Sequence, residues 1–85
     1  MSFLLHSDDG HGWLAVKRTM IDQLGLLAQI SGFSYQRGGT VYLEWDRDLD
    51  LFAEAYESAT GRCPEISELP PKDISPIRRY QHFEG

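Results

Sequence analysis

Phe33-Ser34-Tyr35-Gln36-Arg37-Gly38-Gly39-Thr40-Val41-Tyr42-Leu43-Glu44-Trp45 is the stretch that decides the fold class. Two runs rich in aromatic and β-branched residues flank a Gly-Gly pair, the local signature of a β-hairpin. Side chains alternate along a strand, so Phe33 and Tyr35 share one face of the first run. In the second run Val41, Leu43 and Trp45 share a face, while Tyr42 and Glu44 turn the other way.

Immediately downstream the period changes from two to 3.6. Leu49, Phe52, Ala53 and Tyr56 follow i, i+3, i+4, i+7 spacing and predict a helix with one buried stripe. Asp46-Arg47-Asp48 opens it, with Asp46 or Asp48 as cap. Asp50 suits the positive end of the helix dipole, and Gly61 is the stop. Upstream, Ser2 to His6 and Trp13 to Val16 read as strands around the turn residues 7–12, a loop longer than the two-residue ideal. Val16, Met20, Ile21 and Leu24 then take helical spacing before Gly25, giving a helix of about two turns that depends on tertiary packing. Leu26 to Ile30 suits either a helical turn or a strand. All four prolines fall between Pro64 and Pro76, which excludes helix and central strand there. The expected fold is α+β: a small antiparallel sheet of hairpins, two short helices and an extended Pro-rich C-terminal arm. Residues 1–62 form one domain, and residues 63–85 form the arm, packing on the domain or on a partner.

A chain of 85 residues has room for one domain with a thin core, a poor setting for a deep catalytic pocket. Aromatic residues make up 12%, more than such a core needs, so some should reach the surface as contact groups. Thirteen acids against 8 bases give a net charge of -5. That balance argues against tracking phosphates along nucleic acid and fits contact with a basic surface. Cys63 is the one cysteine, so no internal disulfide forms. The N-terminal segment lacks the basic and apolar regions of a signal peptide, and no apolar run approaches the ~20 residues of a membrane span. These features place the chain in the cytoplasm.

Three patterns invite a chemical reading, and each has a plainer one. Asp46, Asp48, Asp50 and Glu57 match the acidic spacing of a calcium loop. Leu51 stands where that loop needs glycine, and the helical stripe runs through the same residues. His6, Asp8, Asp9 and His11 are potential zinc ligands, yet no fixed ligand spacing is met and such residues populate turns. Cys63 and His82 come without an oxyanion turn, phosphate loop or nucleophile elbow. The expectation is therefore a non-enzyme without metal or cofactor. The charge pattern says more. Glu44, Asp46, Asp48, Asp50, Glu54 and Glu57 gather six acids along one strand end and the next helix, with Arg47 the sole base among them. They form a solvated face, a docking stripe for a basic partner, or a surface neutralised by Arg78 and Arg79 of the arm. Tyr35, Tyr42 and Trp45, with Tyr80 and Phe83, are the candidate contact aromatics.

Asp9-Gly10-His11-Gly12-Trp13-Leu14, Ile30-Ser31-Gly32-Phe33-Ser34-Tyr35-Gln36-Arg37-Gly38 and Val41-Tyr42-Leu43-Glu44 together resemble a group of short proteins encoded by phages and mobile elements. The resemblance covers roughly residues 8–56. It implies a small acidic protein that binds and disables a host machine, anti-CRISPR proteins being a prominent class of this kind. A second, fold-level likeness is to AbrB-like swapped-hairpin regulators and antitoxins, carried by Trp13-Leu14-Ala15-Val16-Lys17, the helix ending Leu24-Gly25-Leu26, and a following hairpin. That likeness implies a dimer contacting DNA through basic residues. Here the usual proline before the lysine is absent, and only Lys17, Arg18 and Arg37 could face phosphate. The leading reading is an inhibitor of a host defence system, acting through the acidic face and Tyr35, Tyr42 and Trp45 on a basic protein, a CRISPR-Cas component among the candidates. The alternative is the dimeric regulator or antitoxin, or a host-takeover adaptor. No membrane is involved, direct nucleic-acid contact is not expected, and a homodimer stays open.

Overall fold

The structure, a computed structural model, describes residues 2–84. Strands β1 (Ser2–Asp8) and β2 (His11–Lys17) lead into helix α1 (Arg18–Gln23). Strands β3 (Tyr35–Arg37) and β4 (Thr40–Glu44) lead into helix α2 (Asp48–Thr60). Then come β5 (Glu65–Glu68), a 3₁₀ turn (Pro76–Arg79) and β6 (Gln81–His82). The six strands make one sheet in the order β5-β1-β2-β4-β3-β6, in which only β5 and β1 run parallel. This is the α+β architecture that the hairpin and helix patterns imply.

A hairpin followed by a helix thus occurs twice, and the two units join through antiparallel β2 and β4, where Leu14 lies opposite Leu43. The chain contains no matching repeat of residues, so this repetition is topological. It also means that the two hairpins pair with each other inside one chain. The sheet is complete without the exchange of hairpins between chains on which a swapped-hairpin dimer depends.

Alternation along the strands separates two faces. Phe3, Leu5, Leu14, Val16, Val41 and Leu43 point to one side, where Ile21 of α1, Phe52 of α2, Leu26, Ile30 and Phe83 complete the core. Phe52 stands edge-on to Phe3 and tilted against Tyr56, with ring centroids 5.2 and 5.7 Å away. Leu49, Leu51, Ala55 and Tyr56 pack around it from the same helix. Ala53, part of the expected stripe, lies at its margin. Gly61 ends α2 at φ 76°, as its position in the sequence indicates.

Several boundaries differ from the sequence reading for identifiable reasons. The first hairpin has a two-residue Asp9-Gly10 loop with longer strands, because Asp8 pairs with His11 and Gly10 takes φ 108°. β3 begins at Tyr35, leaving Phe33 58% exposed. The buried Ser34 hydroxyl accepts the N–H of Glu44 at 2.9 Å, which replaces strand pairing at that point. Leu26 to Ile30 is a turn-rich loop, anchored by Leu26 and Ile30 in the core. Neither Asp46 nor Asp48 caps α2; Arg47 holds the cap position without a side-chain bond. Over residues 63–84 the arm packs on the domain, one of the two placements expected of it, and joins the sheet. It supplies the edge strand β5 beside β1 and the edge strand β6 beside β3, and it crosses the second face between them. There Trp13 and Ile77, 1% and 2% exposed, are buried outside the main core.

Gly12 sits where Trp45 folds over β2. A Cβ at this position would run into the Trp45 ring. Gly12→Ala should therefore lower stability by about 1–3 kcal/mol through overpacking, read as a shift in urea midpoint. An unchanged midpoint would mean that the Trp45 ring yields freely.

Candidate functional site

The six acids divide on folding. Glu44 and Asp48 are buried at 6% and 3% exposure, so they leave the outward face expected of them. Asp48 accepts from the Ser31 N–H at 3.1 Å, the Ser31 hydroxyl at 2.7 Å and the Ser34 hydroxyl, and so ties the 24–34 loop to α2. Glu44 accepts the N–H of Asp46 at 3.0 Å through Oε2. Asp46, Asp50, Glu54 and Glu57 remain exposed. At about 100° per residue, Asp50, Glu54 and Glu57 project within about 60° of one another, opposite Phe52. The aromatic candidates also divide. Trp45 packs on the core, whereas Tyr35 and Tyr42 lie half-buried on the second face of the sheet.

Arg78 and Arg79 do not cover the acidic stripe. Arg78 folds onto the second face and forms a two-point ion pair with buried Asp8, whose other oxygen lone pairs take the Ser75 N–H at 2.9 Å. The Arg78 guanidinium holds the Asp8 carboxyl down at about 2. This is the only ion pair among the described residues. The basic residues of the regulator reading are largely spent internally: Arg18 lies over Phe83 and donates to Gln36, and Arg37 lies over Tyr80.

Beside Arg78 the second face opens into a cleft of about 270 Å³ lined by His11, Trp13, Phe33, Tyr35, Glu44, Asp46, Arg47, Arg78 and His82. A chain of aromatic contacts spans it: His11 stacks on Trp13 (5.9 Å), Trp13 meets Tyr35 edge to face (6.1 Å), and Tyr35 stacks on His82 (4.7 Å). The Gly32 carbonyl accepts from His82 Nδ1 at 2.8 Å, leaving Nε2 without its proton in the neutral ring. Arg78 can only donate to His11 Nδ1, so His11 carries its proton on Nε2. Arg47 lies over Phe33, 4.5 Å from the ring centre. The indole N–H of Trp13 is buried and meets no acceptor among the described residues.

No protein-family model, curated protein or solved structure matches the chain. Among the described residues, no three His, Cys, Asp or Glu side chains come together to hold a metal, and no helix is long and apolar enough to cross a membrane. Cys63 is exposed, and its hydrogen bond to Glu57 pushes the thiol pKa up, which weakens it as a nucleophile. Of the cleft residues, Glu44, Asp46 and Tyr35 are the contact groups expected from the sequence, and His11 and His82 enter there only in the metal and nucleophile patterns. Trp13, Phe33, Arg47 and Arg78 are not contact candidates there, although a basic and aromatic tail on an acidic chain is the trace that the arm leaves in the sequence.

Proposed function

We propose that this chain is a binding protein of the inhibitor type, which docks on a positively charged protein surface through the outer side of α2. The observation that supports this reading is that Asp46, Asp50, Glu54 and Glu57 are exposed and none of them is ion-paired among the described residues. An uncompensated stripe of this kind speeds encounter with a basic partner and selects against acidic ones. The resemblance to phage-borne proteins directs the reading to a host defence component, and the basic nucleic-acid channel of a CRISPR effector has the complementary charge.

The test is plaque formation by a phage targeted by each CRISPR-Cas type, in hosts expressing either the parent or the variant Asp50→Asn/Glu54→Gln/Glu57→Gln. The parent should restore plaques against one type, and the variant should lose at least about tenfold of that effect. Its stability should stay within about 0.5 kcal/mol of the parent, since these side chains lie on the surface. A fully active variant removes the acidic face from the mechanism. A parent inactive against every type removes the defence role.

A further inference from the structure

Glu44, Asp46, Arg47 and Arg78 line one cleft, yet none of these carboxylates pairs with either arginine. Glu44, Arg47 and Arg78 are each held by a separate partner. The Asp46 N–H fixes Glu44 through Oε2, the Phe33 ring carries Arg47, and Asp8 takes two donors of Arg78. Opposite charges that share a small space normally collapse onto each other. Here the fold presents Glu44, Asp46 and Arg47 side by side with no ion pair among them, next to Arg78, whose charge is met by Asp8. Among the described residues the one hydrogen bond to the Glu44 carboxylate is at Oε2, and the Trp13 indole N–H lacks an acceptor.

We infer that this cleft binds a guanine mononucleotide, with the base between the aromatic walls facing Glu44 and the phosphate at the rim beside Arg47. A carboxylate is the natural acceptor pair for the adjacent N1–H and exocyclic N2–H of guanine; adenine offers no such pair of donors. Phe33, Tyr35 and His82 supply the ring surfaces on which unstacked bases are held, with buried Trp13 beneath them. A guanidinium without an internal ion pair is the group that best receives phosphate oxygens. The volume of about 270 Å³ suits one base with its sugar, and the exposed acids next to it oppose a longer polyanion. The ligand is therefore a single nucleotide.

The test titrates the full chain with GMP, AMP, guanosine and inorganic phosphate, followed by calorimetry and by tryptophan fluorescence, since Trp13 borders the cleft. GMP should saturate below about 1 mM and bind about tenfold tighter than either AMP or guanosine. Glu44→Gln should bring GMP down to the AMP level. Because Glu44 is buried, the exposed substitution Arg47→Gln serves as the second probe; it should reduce GMP to the guanosine level and leave guanosine unchanged. Failure of GMP to saturate, equal binding of AMP, phosphate binding as tight as GMP, or GMP affinity unchanged in Arg47→Gln each overturns the assignment.

Discussion

Asp48→Ala should lower the unfolding free energy by about 3–5 kcal/mol, because it strips the acceptor from a set of buried donors. The Ser31 N–H, the Ser31 hydroxyl and the Ser34 hydroxyl all converge on this carboxylate. Ser34 is fully buried and in turn accepts the Glu44 N–H. One carboxylate thus joins the start of α2, the end of β4 and the loop that returns to β3. For a domain of this length the whole stability is roughly 4–13 kcal/mol, so the loss would leave the variant marginal at room temperature. Asp48→Asn should cost less, about 2 kcal/mol, because its amide turns one acceptor into a donor facing donors. Ser34→Ala removes a bond from each end of the relay, and combining it with Asp48→Ala should cost at least about 1 kcal/mol less than the sum. Urea unfolding measures all of these. Additive losses, or an Asp48→Ala variant within about 1 kcal/mol of the parent, would show that the carboxylate is a bystander.

Asp48 also illustrates which parts of the molecule the sequence reveals. The second hairpin and α2 are legible because their determinants are local: a Gly-Gly pair, an apolar stripe and a terminal glycine. Asp48 stands in an acidic run and so reads as solvated, and its partners Ser31 and Ser34 belong to a loop without periodic signal. Glu44 is legible as turned away from Val41 and Leu43, but that face is covered by residues more than thirty positions later. The same holds for Asp8 and His11. They look like turn residues until Arg78, at the far end of the chain, is laid across them. β5 carries no alternation at all, every residue being exposed, and becomes a strand only because β1 has a free edge. The cleft joins residues from β2, β3, β4, the loop before α2 and the arm. Its parts were visible as residue types, and their meeting is a tertiary fact.

Acidification should destabilise the protein in two separate pH ranges, each traceable to one residue on the second face. Burial, helped by the charge of Lys72, lowers the His6 imidazole from its ordinary 6.5. The unfolded chain therefore takes up this proton first, and stability begins to fall as the pH drops through that value. The Asp8 carboxyl is held at about 2 against an ordinary 3.8, chiefly by its hydrogen bond from Arg78. Its contribution is complete above the ordinary carboxylate range and is lost as the pH falls from about 4 toward 2. Allowing for solvent screening at the exposed Arg78 end, it amounts to about 1–2 kcal/mol. Asp8→Asn should thus be less stable than the parent at neutral pH by that amount, and the gap should close near pH 2, where the parent's own carboxyl is protonated. The His6 step should survive in this variant and disappear in His6→Gln. Because Asp8 also receives the Ser75 N–H, its loss should release the arm locally, and amide exchange at Ser75 should quicken by about tenfold or more before the sheet itself opens. A gap between parent and Asp8→Asn that stays constant from neutral pH to pH 2 would mean that packing of Ile77 against the sheet, and not the Asp8–Arg78 pair, fastens the arm.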